Sequence, residues 1–368
     1  MDVRVVRSDD VAEVFVSAMP DPAAGSDGGV DLFTEIRRAL DDAGARPFQE
    51  RVFVCDPAAA DDILAARAEC YGDLDDGLAP ALLHVAPGCR GPLVGVQMHA
   101  VATPGGLGRI DLDGSAGARI ARKNGRGFVA VTGLAAPEAG SAPEQAREMF
   151  LRSYELLRRA GGDMRRVART WLWLGDILSW YDAFNDVRTR FFHECGLVNG
   201  SPDDAHLPAS TGIGIGPAPR GACAMDLVAV VGERPGIRLH NDCGRQRSAY
   251  NYGSAFSRAA VAPTPAGQAA YISGTASIDA EGRTTHVGDS AAQTDETVAN
   301  VRAVLNDLDF DDGDVVQAIV YCKTPEIERE FLARADAPPW PHITAVAPVC
   351  RDDLSIEIEA TAVRGLPR

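Results

Sequence analysis

An internal repeat constrains this chain more than any other feature of its sequence. Three times in 368 residues the same order recurs: an apolar strand, a Gly/Asp turn, a helix, a strand, a second helix and two closing strands. The third copy is the clearest. It opens with AAYISGTASIDAEG, a β-run closing on a turn, and continues with TDETVANVRAVLNDL, where Val298, Val301, Val304 and Leu305 fall at helical spacing. VVQAIVYC, PEIEREFLARA, PHITAVAPVC and LSIEIEATAV complete it. The second copy runs from GRGFVAVTGLAAPEAG through EQAREMFLRSYELLRRAG, RRVARTWLWL, SWYDAFNDVRTRFFHECG and LPASTGIGIG to CAMDLVAVV. The first runs from VAEVFVSAMPDPAAG to PLVGVQMHAVA. Identity between copies is low, so the shared order carries the inference. It predicts an α/β (α+β) chain of tandem units, each a mixed sheet backed by helices. The boundaries read as 1–112, 113–233, a linker at 234–247 containing Pro235, Gly236 and Gly244, and 248–368.

Charge and composition narrow the partners. A net charge of −16 argues against nucleic acid and anionic membrane surfaces as partners, but leaves room for a small anion held by local arginines. No apolar run approaches the roughly 18 residues of a membrane span. The opening MDVRVVRSDDVAEVF has acids where a signal peptide needs an apolar core, so the expected compartment is the cytoplasm. Cys55, Cys70, Cys89, Cys195, Cys223, Cys243, Cys322 and Cys350 form no C-x-x-C pair and have no histidine at ligand spacing. They read as reduced thiols, with no disulfide framework and no metal site expected. TGIGIG lacks a phosphate-loop lysine, and no G-x-G-x-x-G follows a strand, so no nucleotide cofactor is expected. Trp171, Trp173 and Trp180 read as core.

The closing strands give the sharpest contrast between copies. SIEIEATAV alternates, with Leu354, Ile356, Ile358 and Ala360 on one face and Ser355, Glu357, Glu359 and Thr361 on the other. The apolar face is expected against the helices. Glu357 and Glu359 then stand about 7 Å apart along the strand, from a rise of roughly 3.3 Å per residue. Glu357 aligns with Ala224 in the second copy and Gly95 in the first. Both glutamates also fit a solvated strand face. In a dry cleft beside a second acid, Glu357 would hold its proton more tightly and suit general-acid work.

FSRA, YISGTASID and IEIEATAV resemble the RidA (reactive-intermediate deaminase) family, whose members assemble as trimers with active sites between subunits. The resemblance implies that three units on one chain form a pseudo-threefold arrangement, a monomer mimicking the trimer. It also matches Glu357 to a carboxylate that family uses to activate water. RidA deaminases hold the substrate carboxylate with an arginine near the start of the preceding strand. Here that place is taken by His342 in WPHITAV, which counts against imine deamination.

A more specific resemblance, from about Arg165 to Val363, is to the chorismatases. It rests on TWLWLGDILSWYDAFNDVRTRFF, LPASTGIGIG, YGSAFSRA, ISGTASIDAEG with THVGD, and CRDDLSIEIEA. Chorismatases release pyruvate from chorismate, a diacid bearing an enolpyruvyl ether, without metal or organic cofactor. The resemblance implies that Glu357 is the general acid. It also implies that Cys350, seven residues earlier, marks the aromatising type that yields 3-hydroxybenzoate, as against the type that stops at a dihydroxycyclohexadiene carboxylate. Substrate contacts are expected from Arg258 in AFSRA, Arg169 in ARTWLWL, Tyr250 with its neighbour Tyr252, and Gly274 and Ala276 in SGTAS. Each arginine equally fits an ion pair, each tyrosine a half-buried aromatic, and Cys350 an inert buried thiol. A deaminase or a non-catalytic metabolite-binding protein are the remaining alternatives. Glu357, set against Ala224 and Gly95, argues for an enzyme.

Overall fold

Three six-stranded sheets, each backed by helices, make up the computed structural model, which describes residues 1–21, 28–88, 91–112, 115–198, 205–218 and 220–365. Gly28, Ser115, Ala116 and Tyr252 enter by their backbone alone. The first sheet is built from β1 (Asp2–Ser8), β2 (Val11–Ala18), β3 (Arg46–Val54), β4 (Ala81–His84) and β5 (Leu93–Ala102), with α1 (Gly28–Ala43) and α2 (Ala60–Tyr71) behind it. The second contains β6 (Gly108–Leu112), β7 (Ser115–Lys123), β8 (Arg126–Ala135), β9 (Val167–Leu174), β10 (Ala209–Ile213) and β12 (Cys223–Val231). Its helices are α3 (Ala142–Arg159) and α4 (Ile177–Glu194). Short β11 (Gly216–Pro217) leaves this unit and pairs with β4 of the first sheet. The third sheet holds β13 (Arg238–His240), β14 (Ala259–Pro263), β15 (Gly267–Ala276), β16 (Val315–Cys322), β17 (His342–Val346) and β18 (Ile356–Gly365), with α5 (Ser290–Asp307) and α6 (Pro325–Leu332).

The strand orders establish the repeat. They run β1-β2-β5-β3-β4, β7-β8-β12-β9-β10 and β14-β15-β18-β16-β17, the same path three times, so the last strand of each unit sits at its centre. The unit edges differ from the expected boundaries. β6 pairs with β7 and belongs to the second sheet, although it falls within 1–112. β13 lies inside the expected linker, yet pairs with β14 as an edge strand of the third sheet.

Local chemistry explains the helix ends that hold the sheets in place. Ser141 and Glu144 form a reciprocal capping box at the start of α3. Thr324 caps α6 with Pro325 at its first turn, and Asp289 accepts from the Ala292 amide at the start of α5. One face of each sheet packs on its own helices. For the third sheet, Ile356, Ile358 and Ala360 meet Val298, Val301, Val304 and Leu305 of α5, as the alternation predicts. Leu354 does not join them. It precedes β18 and belongs to the shared interior, because the strand's regular pleat begins only at Ile356.

The other faces of all three sheets meet in a common core, which closes the ring. Phe53, Trp171, Trp173, Tyr271, Ile319 and Tyr321 share it, and Phe53 meets Trp173 edge-on with centroids 6.0 Å apart. Buried on both faces, β9 and β16 are mostly apolar, whereas β3 carries the buried Gln49, Glu50 and Arg51 among its apolar residues. Polar side chains in one register join the units. Gln49, Arg169 and Gln317 pair with His99, Val228 and Thr361 respectively and so occupy equivalent places. Gln49 donates to the Val131 and Leu227 carbonyls of the second unit, and Gln317 to the Val16 and Met98 carbonyls of the first. Arg169 reaches Glu359 of the third.

Candidate active site

The register confirms which residues are equivalent at the centre of each unit. Glu357 lies opposite Tyr321, Ala224 opposite Trp173, and Gly95 opposite Phe53. Only the third unit carries an acid there. Two residues on, Glu359, Asp226 and Gln97 lie opposite Ile319, Trp171 and Arg51. Both glutamates of β18 are buried, at 5% and 4% exposure, so the solvated-face alternative is set aside.

Burial treats the two acids differently. Glu359 is fully engaged: Trp171 Nε1 donates to one carboxylate oxygen at 2.6 Å and Arg169 Nη2 to the other at 2.8 Å. Arg169 also bonds the Thr211 hydroxyl. Glu357 instead faces a cavity of about 430 Å³ between the second and third units, and no hydrogen bond from a described residue holds its carboxyl. Burial, and next the charge of Glu359, push its pKa up to about 8, against the opposing pull of Arg169, Arg258 and Arg351. At neutral pH the group therefore favours its protonated form.

Gly274 makes that position possible. A Cβ there would stand 2.1 Å from Glu357 Oε1 and 3.1 Å from Thr211 Cγ2, and the ladder between β15 and β18 shifts register at this point. Ala276, paired directly with Glu357, also lines the cavity. The seam beside it is pinned by the Ser210 amide donating to Ser273 Oγ at 2.8 Å, and by Ser273 Oγ donating to the Ser257 carbonyl at 2.6 Å.

Three arginines line the cavity. Arg258 is buried, with Nε on the Arg247 carbonyl at 2.8 Å, and Arg351 donates to the Gly282 carbonyl at 2.6 Å. Arg188 comes from α4, where Tyr181, Asn185 and Arg188 share one helix face at i, i+4 and i+7. Its Nη2 donates to Asn185 Oδ1 at 2.7 Å, and its buried Nε has no partner among the described residues. Phe256 stands between two of these guanidinium groups, 5.8 Å from that of Arg188 and 5.7 Å from that of Arg258. Tyr181 lines the cavity beside Ser254 and Arg188, and burial pushes its pKa up to about 12. Burial also pushes the Cys350 thiol up to about 12, with the charge of Glu357 adding to it, so it stays a thiol at neutral pH.

Of the residues expected from the sequence, Glu357, Cys350, Arg258, Gly274 and Ala276 meet around this cavity. Arg169 does not line it; its Nη2 bonds Glu359 and Thr211, and its buried Nη1 has no partner among the described residues. Tyr250 is also away from the cavity, half-buried against the core of the second unit. The Tyr252 side chain lies outside the described residues. His342 bonds the Trp340 carbonyl and packs edge-on against Phe331, remote from Glu357's cavity. Arg188, Tyr181 and Arg351 were not anticipated. For Arg188 the signal was present: an arginine flanked by Phe184, Val187 and Phe191 on the buried side of a helix. The junction of the first and second units holds another cavity, of about 620 Å³, lined in part by Arg109, Asp111, Arg119 and Gly133; Ala224, the equivalent of Glu357, does not line it. Among the described residues no cluster of His, Cys, Asp and Glu is arranged to hold a metal ion, and no helix is long and apolar enough to cross a membrane.

The fold and site thus define a ring of three RidA-like units in which Glu357 of the third faces a cleft against the second. Comparison with known proteins agrees. The family described as Endoribonuclease L-PSP matches residues 248–364. A 3-hydroxybenzoate synthase of Streptomyces hygroscopicus is 28% identical over 257 residues, covering 62% of this chain and 72% of that protein. A crystal structure of a chorismatase superposes with a TM-score of 0.62 at 20% identity, covering 98% of this chain and 100% of that one. The whole chain thus shares the fold of that chorismatase, and its third unit matches the L-PSP family.

Proposed function

We propose that this protein is a chorismatase that converts chorismate to 3-hydroxybenzoate and pyruvate, with Glu357 as general acid. The observation that carries the reading is a buried carboxyl, with no hydrogen bond from a described residue, facing a cavity that three arginines line; burial raises its pKa to about 8. Enol ethers are cleaved by protonation at the terminal methylene carbon, which leaves an oxocarbenium centre at the ether-bearing carbon. A carboxylic acid that keeps its proton at neutral pH suits that step. The substrate is a dianion, and guanidinium groups bind carboxylates through paired hydrogen bonds. Arg188, with an unpartnered buried Nε, and Arg258 are the groups we assign to the two carboxylates, with Arg351 supporting them at the loop before β18.

The relative from Streptomyces supports the aromatic product, as does Cys350 on the cavity wall. Chorismate divides into 3-hydroxybenzoate and pyruvate with no net water, whereas hydrolysis to the dihydrodiol consumes one water. As a thiol, Cys350 can pass a proton during loss of the ring hydroxyl. The test is to incubate EDTA-treated protein with chorismate, following pyruvate by a coupled assay and the ring product by NMR. Pyruvate with 3-hydroxybenzoate is expected. Pyruvate with a non-aromatic diol would retain Glu357 as the acid and remove Cys350 from the chemistry, and no pyruvate would overturn the assignment.

A further inference from the structure

We propose that Glu359, anchored by Arg169 and Trp171 of the second unit, is a positioning residue whose charge keeps the Glu357 carboxyl in its proton-carrying form. The inference rests on the reading of Glu357 as general acid. Glu359 lies on the same face of β18 two residues further on, within the same buried layer. Each of its oxygens accepts one hydrogen bond, one of them from the ion-paired Arg169, so the carboxylate is fixed in place. Trp171 contributes an N–H without a charge, and therefore stabilises the anion without cancelling it. At this depth the field of a fixed charge is weakly screened.

The surroundings of Glu357 make such a charge necessary. Arg169 from β9 and Arg258 and Arg351 from the loops flanking the third sheet all favour the ionised carboxylate. Tyr321 from β16, Tyr181 from α4 and Cys350 face it as neutral groups, each shifted upward by burial. Arg188, Asp182 and Asp186 of α4 line the far side of the same cavity, and among the groups that act on Glu357 most strongly Glu359 is the negative one that opposes Arg169, Arg258 and Arg351. Packing does not require that charge. The same register in the first unit holds Gln97, which accepts from Arg51 at 2.8 Å and donates to the Ala318 carbonyl at 3.2 Å. In the second unit Asp226 is ion-paired to Arg51 at 2.6 Å, beside Ala224 and with no acid to influence. Only where the neighbouring position carries an acid does this pairing bear on a proton.

The experiment compares Glu359→Gln, Arg169→Gln and the double variant Arg169→Met/Glu359→Gln with wild type. The double variant removes a buried ion pair as a unit, which proteins commonly tolerate, and so covers the case in which a single variant fails to fold. The alkaline limb of kcat/KM for pyruvate release should move down by about one pH unit in Glu359→Gln, move up in Arg169→Gln, and lie between wild type and Glu359→Gln in the double variant. Damage to packing would lower the rate without moving the limb in opposite directions. The infrared carboxyl band lost in Glu357→Gln, titrated without substrate, reads the same shifts without turnover. Band shifts in the absence of pyruvate release would uphold the electrostatic role and overturn only the assigned reaction. A band and a limb that coincide with wild type in the variants would overturn the proposal.

Discussion

A carboxyl on the interior face of a central strand has no water to stabilise its charge, and Glu357 keeps its proton to about pH 8 for that reason first. The sign of the consequence for stability follows. The folded pKa lies above the unfolded value, so the folded chain binds the proton more tightly, and stability is lost as pH rises from about 4.5 to about 8. Glu357→Gln should remove this loss, giving a melting temperature that exceeds wild type at pH 8.5 and approaches it at pH 4.5. The same substitution should lower pyruvate release by at least about a hundredfold. For Cys350→Ala, pyruvate release should stay within about tenfold of wild type, while the ring product shifts from 3-hydroxybenzoate toward the diol. An unchanged product ratio would leave Cys350 a packing residue. Glu357 was legible because its equivalents are Ala224 and Gly95, a contrast visible within one chain. The pairing of Arg169 was not legible, because a strand position gives the face of a side chain but not its partner, and the partner, Glu359, lies 190 residues away.

At the scale of elements, β15 and α4 form opposite walls of the cleft. The register shift in β15 and the bare Cα of Gly274 open a slot that the Glu357 carboxyl fills. Gly274→Ala should expel that carboxyl and lower activity about as far as Glu357→Gln does, with far less change in substrate binding. Across the cleft, Arg188→Met should raise KM by about 10- to 100-fold, the loss of one charge-assisted hydrogen bond to a carboxylate, with a smaller effect on kcat. Steady-state kinetics on chorismate check both. The strand and helix order was legible from periodicity, as α5 meeting Ile356 and Ile358 shows. The cleft-facing side of α4 was not. Tyr181, Asn185 and Arg188 share a helix with a phenylalanine-rich core stripe, and which side of that stripe opens to a cavity depends on the neighbouring unit.

At the scale of the whole molecule, each unit buries one sheet face against its own helices and the other against its two siblings. No unit can satisfy its interior face alone. The segment 248–365 expressed by itself should therefore associate or aggregate, whereas the 38.9 kDa chain should sediment as a monomer. A cooperatively folding monomer of the isolated segment would contradict this. The division into units was legible in the repeated order. Its edges were not, because β6 and β13 are short edge strands whose membership is decided by pairing, not by hydropathy.

The most direct test of the central claim is the fate of one proton. In D₂O, wild-type protein given chorismate should release pyruvate whose methyl group carries one solvent deuteron, seen by NMR on product trapped at once, and Glu357→Gln should release almost none. Pyruvate formed at the wild-type rate by Glu357→Gln, or pyruvate without the deuteron, would contradict the account.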